Sequence, residues 1–78
     1  MFDLSLQHAD HIRRYFVRLV APAGWEVSIE EDRELRHATI YQDWHHVERA
    51  LAMFQREVGE LMASGWFVAA ASVDKAVP

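Results

Sequence analysis

Along residues 43–64 the apolar side chains return at helical intervals. Trp44, Val47, Leu51, Phe54, Val58 and Leu61 follow one another at spacings of 3, 4, 3, 4 and 3 residues, which lines up one face of an α-helix. Ala50, Met53 and Met62 widen that stripe, and Glu48, Arg49, Gln55, Arg56 and Glu60 form the opposite, solvated face. Asp43 is placed to cap the first turn, because its carboxylate can accept from the free amides there. Gly65 follows the last turn and suits the left-handed position at which many helices stop. A helix of this length spans roughly 30 Å.

Upstream the period changes to two. Trp25-Glu26-Val27-Ser28-Ile29-Glu30 alternates strictly between apolar and polar residues, the pattern of a half-buried strand. Arg14 to Val20 reads as a second strand, with Tyr15, Val17 and Leu19 on one face, and the breakers of Ala21-Pro22-Ala23-Gly24 make the turn between them. Facing apolar with apolar pairs Leu19 with Trp25, Val17 with Val27 and Tyr15 with Ile29. The same register sets Arg18 against Glu26 and Arg14 against Glu30 on the outer face, where such cross-strand pairs contribute about 0.2–1 kcal/mol each. A third strand is expected over Leu35–Tyr41, after the charged turn Glu31–Glu34. With Ala38 and Ile40 pointing inward, Ile40 meets Val27, and Thr39 and Tyr41 fall on the outer face.

These elements predict an α+β fold: a small three-stranded antiparallel sheet in β-β-β-α order, packed on one long C-terminal amphipathic helix. Residues 13–67 form that single domain. Residues 1–12 are expected as a loose arm or a short helix capped by Ser5, and residues 68–78 as a frayed tail.

Size and composition sharpen the picture. A chain of 78 residues holds one domain, and a domain this small buries only about 60–65% of its unfolded surface, which leaves a thin stability margin. Disulfides, a metal or a partner chain commonly supplement it. Cysteine is absent, which removes disulfides and thiolate zinc sites. The net charge of −4 is far from the basic balance of a nucleic-acid binder. No basic segment followed by an apolar run marks a leader at the N-terminus, and no apolar stretch approaches the roughly 18 residues of a membrane span. A cytoplasmic protein is the expectation.

Five histidines are the one compositional excess. His8 and His11 flank Asp10, and on a helix they would share a face and could hold a metal. His45 and His46 are adjacent and point apart on a helix. Surface histidines without a ligand explain the same pattern, so no metal is expected. Ser28, Glu30 and His37 could be drawn as a catalytic trio on the outer sheet face, but such a face has no pocket and no oxyanion donors. The isolated glycines form no phosphate-binding loop. Neither an enzyme nor a cofactor is expected.

The outer sheet face remains as the candidate interaction face, with Arg14, Phe16, Arg18, Thr39 and Tyr41. Arginines interleaved with aromatics can contact nucleic acid, yet Glu26 and Glu30 neutralise both arginines, and phosphate affinity needs unpaired positive charge. Exposed Phe16 and Tyr41 point instead to a protein partner. The expected function is a small non-enzymatic interaction domain, self-associating as a homodimer through the open sheet face or the helix, or binding another protein. A nucleic-acid-associated accessory role through the same face is the alternative.

Ala50 and Phe54 near the end of the helix, followed by Gly65-Trp66, resemble the final helix of WGR domains, which also follows a small sheet. The resemblance covers about 20 residues. The Trp-Gly-Arg signature of that family is missing from this chain, so no functional residue is carried across.

Overall fold

The first residues alternate as strictly as any in the chain: Phe2, Leu4 and Leu6 are apolar, and Asp3, Ser5 and Gln7 are polar. In the structure, a computed structural model describing residues 2–73, they form strand β1 (Phe2–His8). A two-residue turn, with Ala9 at φ +53°, leads into β2 (His11–Val20). Strands β3 (Gly24–Glu31) and β4 (Glu34–Tyr41), helix α1 (Trp44–Ala63) and strand β5 (Phe67–Val73) follow. The five strands make one sheet in the order β4-β3-β2-β1-β5, with every neighbouring pair antiparallel.

The α+β class stands, but the expected three-stranded sheet with a C-terminal helix does not. The sheet has five strands, and the helix lies between the fourth and the fifth. Residues 1–12, expected as an arm or short helix, hold a strand near the middle of the sheet. The segment expected to fray from residue 68 enters the sheet through residue 73, and residues 74–78 lie outside the described residues. The pairings also explain the helix length. β4 and β5 run in the same direction at opposite edges, so the connection must carry the chain back along the whole sheet. Twenty helical residues rise about 30 Å, slightly more than the roughly 26 Å of an eight-residue strand.

Both helix ends follow from local chemistry. The Asp43 carboxylate accepts from the His45 amide at 2.9 Å. At the other end Gly65 has φ +105°. Its amide donates to the Met62 carbonyl, and the Trp66 amide donates to the Leu61 carbonyl, each at 3.1 Å. These are the paired bonds of a Schellman motif, which needs a residue tolerant of positive φ at that point.

The β2–β3 hairpin has the register the alternation predicts, including Leu19 with Trp25, Val17 with Val27 and Tyr15 with Ile29. The strand after it does not. Ile40 lies opposite Glu26 on the outer face, and Thr39 lies opposite Val27 on the face beneath the helix. Two local features set this. The turn is only Asp32-Arg33, both left-handed at φ +53° and +67°, the requirement of a type I′ hairpin. A bulge at Arg36 then shifts the ladder between Ile29 and Glu30. A shift of one residue moves every following side chain to the other face.

The core lies between the sheet and α1. Leu6, Tyr15, Val17 and Val27 from the sheet meet Val47 and Phe54 from the helix, and all six are buried. Burying each such side chain contributes about 1.5–3 kcal/mol. The Phe54 ring sits 4.8 Å from Tyr15 and 6.5 Å from Phe2, centroid to centroid. At the start of the helix Trp44 meets Trp25 edge-on at 5.2 Å, and Tyr41 stacks on His46 at 5.6 Å.

Candidate interaction surfaces

Beneath the helix one polar cluster ties the layers together. The Tyr15 hydroxyl donates to Glu57 Oε1 at 3.0 Å and accepts from Arg13 Nε at 2.7 Å. Arg13 Nη2 also pairs directly with Glu57. Burial, reinforced by the Glu57 carboxylate, pushes the Tyr15 hydroxyl up to about 12. All three polar groups have partners, so the cluster fixes the helix on the sheet.

Among the described residues the opposite sheet face carries no helix. Arg14 projects there and binds Asp3 through two bonds, Nε to Oδ1 at 2.8 Å and Nη2 to Oδ2 at 2.6 Å, with Glu30 at 3.5 Å. Arg18 Nε pairs with Glu26 at 2.6 Å. The bond to Arg14 holds the Asp3 carboxyl below its usual range, and the bond to Asp3 raises Arg14 further. Phe16 lies between the two arginines, with their guanidinium carbons 4.3 and 5.8 Å from its ring centre. The long cationic stems cover that ring. Phe16 is therefore only 8% exposed.

Arg14, Phe16 and Arg18 come together as expected, but Thr39 and Tyr41 do not join them. Thr39 bonds to His37 Nε2 at 3.0 Å. Tyr41 packs against the core as the register partner of Trp25. The slip in β4 that placed Ile40 outside carried both residues to the other face. His37 lies opposite Ile29 for the same reason, away from Ser28 and Glu30. Ser28 is buried opposite Phe16, and its hydroxyl has no hydrogen-bond partner among the described residues. A shallow cavity of about 420 Å³ on this face is lined by Asp3, Arg14, Arg18, Glu26, Ser28 and Glu30 among others. Its cations already have carboxylate partners, so little positive charge is left for phosphates.

His8 and His11 face each other across the first turn. The His8 ring stacks on Trp66 at 5.6 Å. His11 Nδ1 pairs with Asp32 Oδ2 at 3.0 Å, and Asp32 Oδ1 accepts from the Ile12 amide at 3.0 Å. Among the described residues no group of three His, Cys, Asp or Glu is placed to hold a metal ion.

The His11–Asp32 pair makes stability depend on pH. The bond to Asp32 raises His11 above its ordinary 6.5, and the bonds to His11 and the Ile12 amide lower Asp32 below 3.8. A raised histidine stabilises fully below its unfolded value and loses that contribution as pH rises through its folded value. A lowered carboxylate stabilises fully above its unfolded value and loses that contribution as pH falls through its folded one. The urea midpoint should therefore plateau between the two ordinary values and fall on either side. In His11→Gln the alkaline fall should vanish; an unchanged alkaline limb would show that this pair does not act in solution.

β5 is an uncharged stretch of surface, where every residue from Phe67 to Ser72 is exposed. Phe67 is 54% and Val68 45% exposed. This strand does not alternate between apolar and polar residues, so it leaves no period-two signal in the sequence. Its valines and aromatic residue were the available signal.

The class that this architecture defines is a small α+β domain, a five-stranded antiparallel sheet with one face under a single helix. No helix in the described residues is long and apolar enough to cross a membrane. No protein-family model matches the chain, and no curated protein or solved structure shows significant similarity to it.

Proposed function

We propose that this chain is a small non-enzymatic interaction domain that self-associates, and that its contact lies at the β5 edge rather than on the ion-paired sheet face. One observation carries the reading. The side chains expected to offer an apolar docking face are covered, Phe16 by Arg14 and Arg18 and Tyr41 by the helix side, whereas β5 presents apolar groups with no charge among them. An uncovered apolar edge of this kind is where soluble domains meet partners. The pairing of Arg14 and Arg18 with carboxylates weighs for a protein partner over nucleic acid. A bacterial-type cytoplasm suits a chain without cysteine.

The test is the mass in solution by size exclusion with light scattering, at low and moderate salt. A mass of about twice the 9.1 kDa chain, persisting at moderate salt, supports apolar self-association. A monomer mass across the accessible concentration range overturns it.

A further inference from the structure

Between α1 and the β3–β4 side of the sheet lies a cavity of about 160 Å³. Val27 and Ile29 of β3, Tyr41 of β4, and Ala50 and Phe54 of α1 give it apolar walls. The parity of β4 accounts for the space. Ile40 lies on the outer face, while Thr39 and His37 fall on the side of the helix and bond to each other at 3.0 Å. The helix adds only a methyl group at Ala50, so neither layer supplies the bulk that would close the gap. Met53 also lines the cavity and is 70% exposed, so the way to solvent runs past a flexible, unbranched side chain.

Two polar side chains complete the lining, His37 and Glu57. The Glu57 carboxylate is fixed from the sheet: Oε1 accepts from the Tyr15 hydroxyl and pairs with Arg13. A carboxylate can accept about four hydrogen bonds, and Oε2 takes no part in these two. The cavity thus has apolar walls and one anchored acceptor, the combination that holds and orients a small ligand.

We propose that this cavity binds a small neutral aromatic molecule with one hydroxyl group, its ring between β3 and α1 and its hydroxyl donating to Glu57. The volume sets the size, because an apolar cavity of about 150 Å³ takes up a single benzene ring. Phe54 and Tyr41 favour an aromatic occupant, which can meet their rings edge-on or offset. The charge pattern sets the rest. Arg13 already balances Glu57, so an ammonium group finds no unmatched charge there. A ligand carboxylate would be buried beside Glu57 without a partner, which is costly. The site lies on the β3–β4 side, at the far end of the sheet from β5, so its test is independent of self-association.

The experiment titrates the isotope-labelled full chain with phenol and follows each residue by nuclear magnetic resonance. Saturable shifts should centre on Val27, Ile29, Tyr41, Ala50 and Phe54, with β5 unmoved. Toluene, which lacks the hydroxyl, should bind about tenfold more weakly, the scale of one hydrogen bond to a charged group. Benzoate should cause no shift at these residues. Ala50→Leu places a larger side chain in the cavity; with folding verified by circular dichroism, it should weaken phenol binding by about tenfold or more. Shifts that do not saturate, or that centre elsewhere, overturn the site, and this reading stands even if Ala50→Leu fails to fold. A folded Ala50→Leu that binds phenol as the parent does overturns it as well. Toluene or benzoate binding as tightly as phenol overturns the assignment of a neutral hydroxyl donor to Glu57.

Discussion

Phe54→Ala should lower the stability of this domain by about 3–5 kcal/mol, the range for removing a buried phenylalanine. Phe54 is 5% exposed and is one of the two buried side chains of the helix, the other being Val47. Its ring fills the space between Tyr15 and Phe2 on two adjacent strands. Loss of the ring leaves a cavity that the sheet backbone cannot collapse to fill, so the cavity cost adds to the lost transfer energy. Typical stabilities of about 0.05–0.15 kcal/mol per residue imply about 4–12 kcal/mol for this chain. The variant should therefore retain little stability. Urea unfolding should show a large fall in midpoint with an unchanged slope. Met53→Ala on the same helix is the control: Met53 is 70% exposed, and surface changes of this kind stay within about 0.5 kcal/mol. Equal midpoints for the two variants would show that Phe54 is not the anchor of the helix.

The second large effect comes from a position with no side chain. Gly24 opens β3 at φ +131°, and an added Cβ would lie 2.2 Å from the Tyr41 carbonyl oxygen and 3.0 Å from its carbon. The obstructing atoms are backbone, so no rotamer change relieves the contact. The backbone conformation alone costs a non-glycine residue about 1–3 kcal/mol, and the displacement of β3 from β4 adds to it. Gly24→Ala should thus destabilise by about 3 kcal/mol or more. The displaced segment carries Trp25, which packs on Trp44, so tryptophan fluorescence should change with it. The contrasting substitution is Gly59→Ala, in the helix with nothing within 4 Å of the added Cβ. There alanine should stabilise by about 0.5–1 kcal/mol through helix propensity. Two glycine-to-alanine changes of opposite sign distinguish a steric requirement from a general preference. A Gly24→Ala variant as stable as the parent would mean that β3 and β4 separate at that point at no cost.

The candidate site depended on features of different range. The ion pairs of Arg14 with Glu30 and of Arg18 with Glu26 were legible, because they follow from the hairpin register. The contribution of Asp3 was not, because it requires β1 to lie beside β2. That third carboxylate holds Arg14 in place over Phe16. A face that looks aromatic in one dimension is therefore covered by charge in three. The β5 edge was hidden for a related reason. An edge strand of small apolar residues looks like a tail until a neighbour supplies its hydrogen bonds.

What the sequence determined by itself is local. The 3.6-residue period, the Asp43 cap and Gly65 define α1, and the strict alternation of Trp25–Glu30 set against Tyr15, Val17 and Leu19 defines the β2–β3 register, because each signal acts between residues close in the chain. The same alternation was present in β1, though its place near the middle of the sheet was not. The tertiary structure decided that β1 pairs with β5 across a separation of sixty residues or more, since hydrogen-bonding partners so distant leave no periodic trace. It also decided the outward face of β4. There apolar residues fall on both sides, and a tight turn and one bulged residue set the parity against which Tyr41 packs beneath the helix.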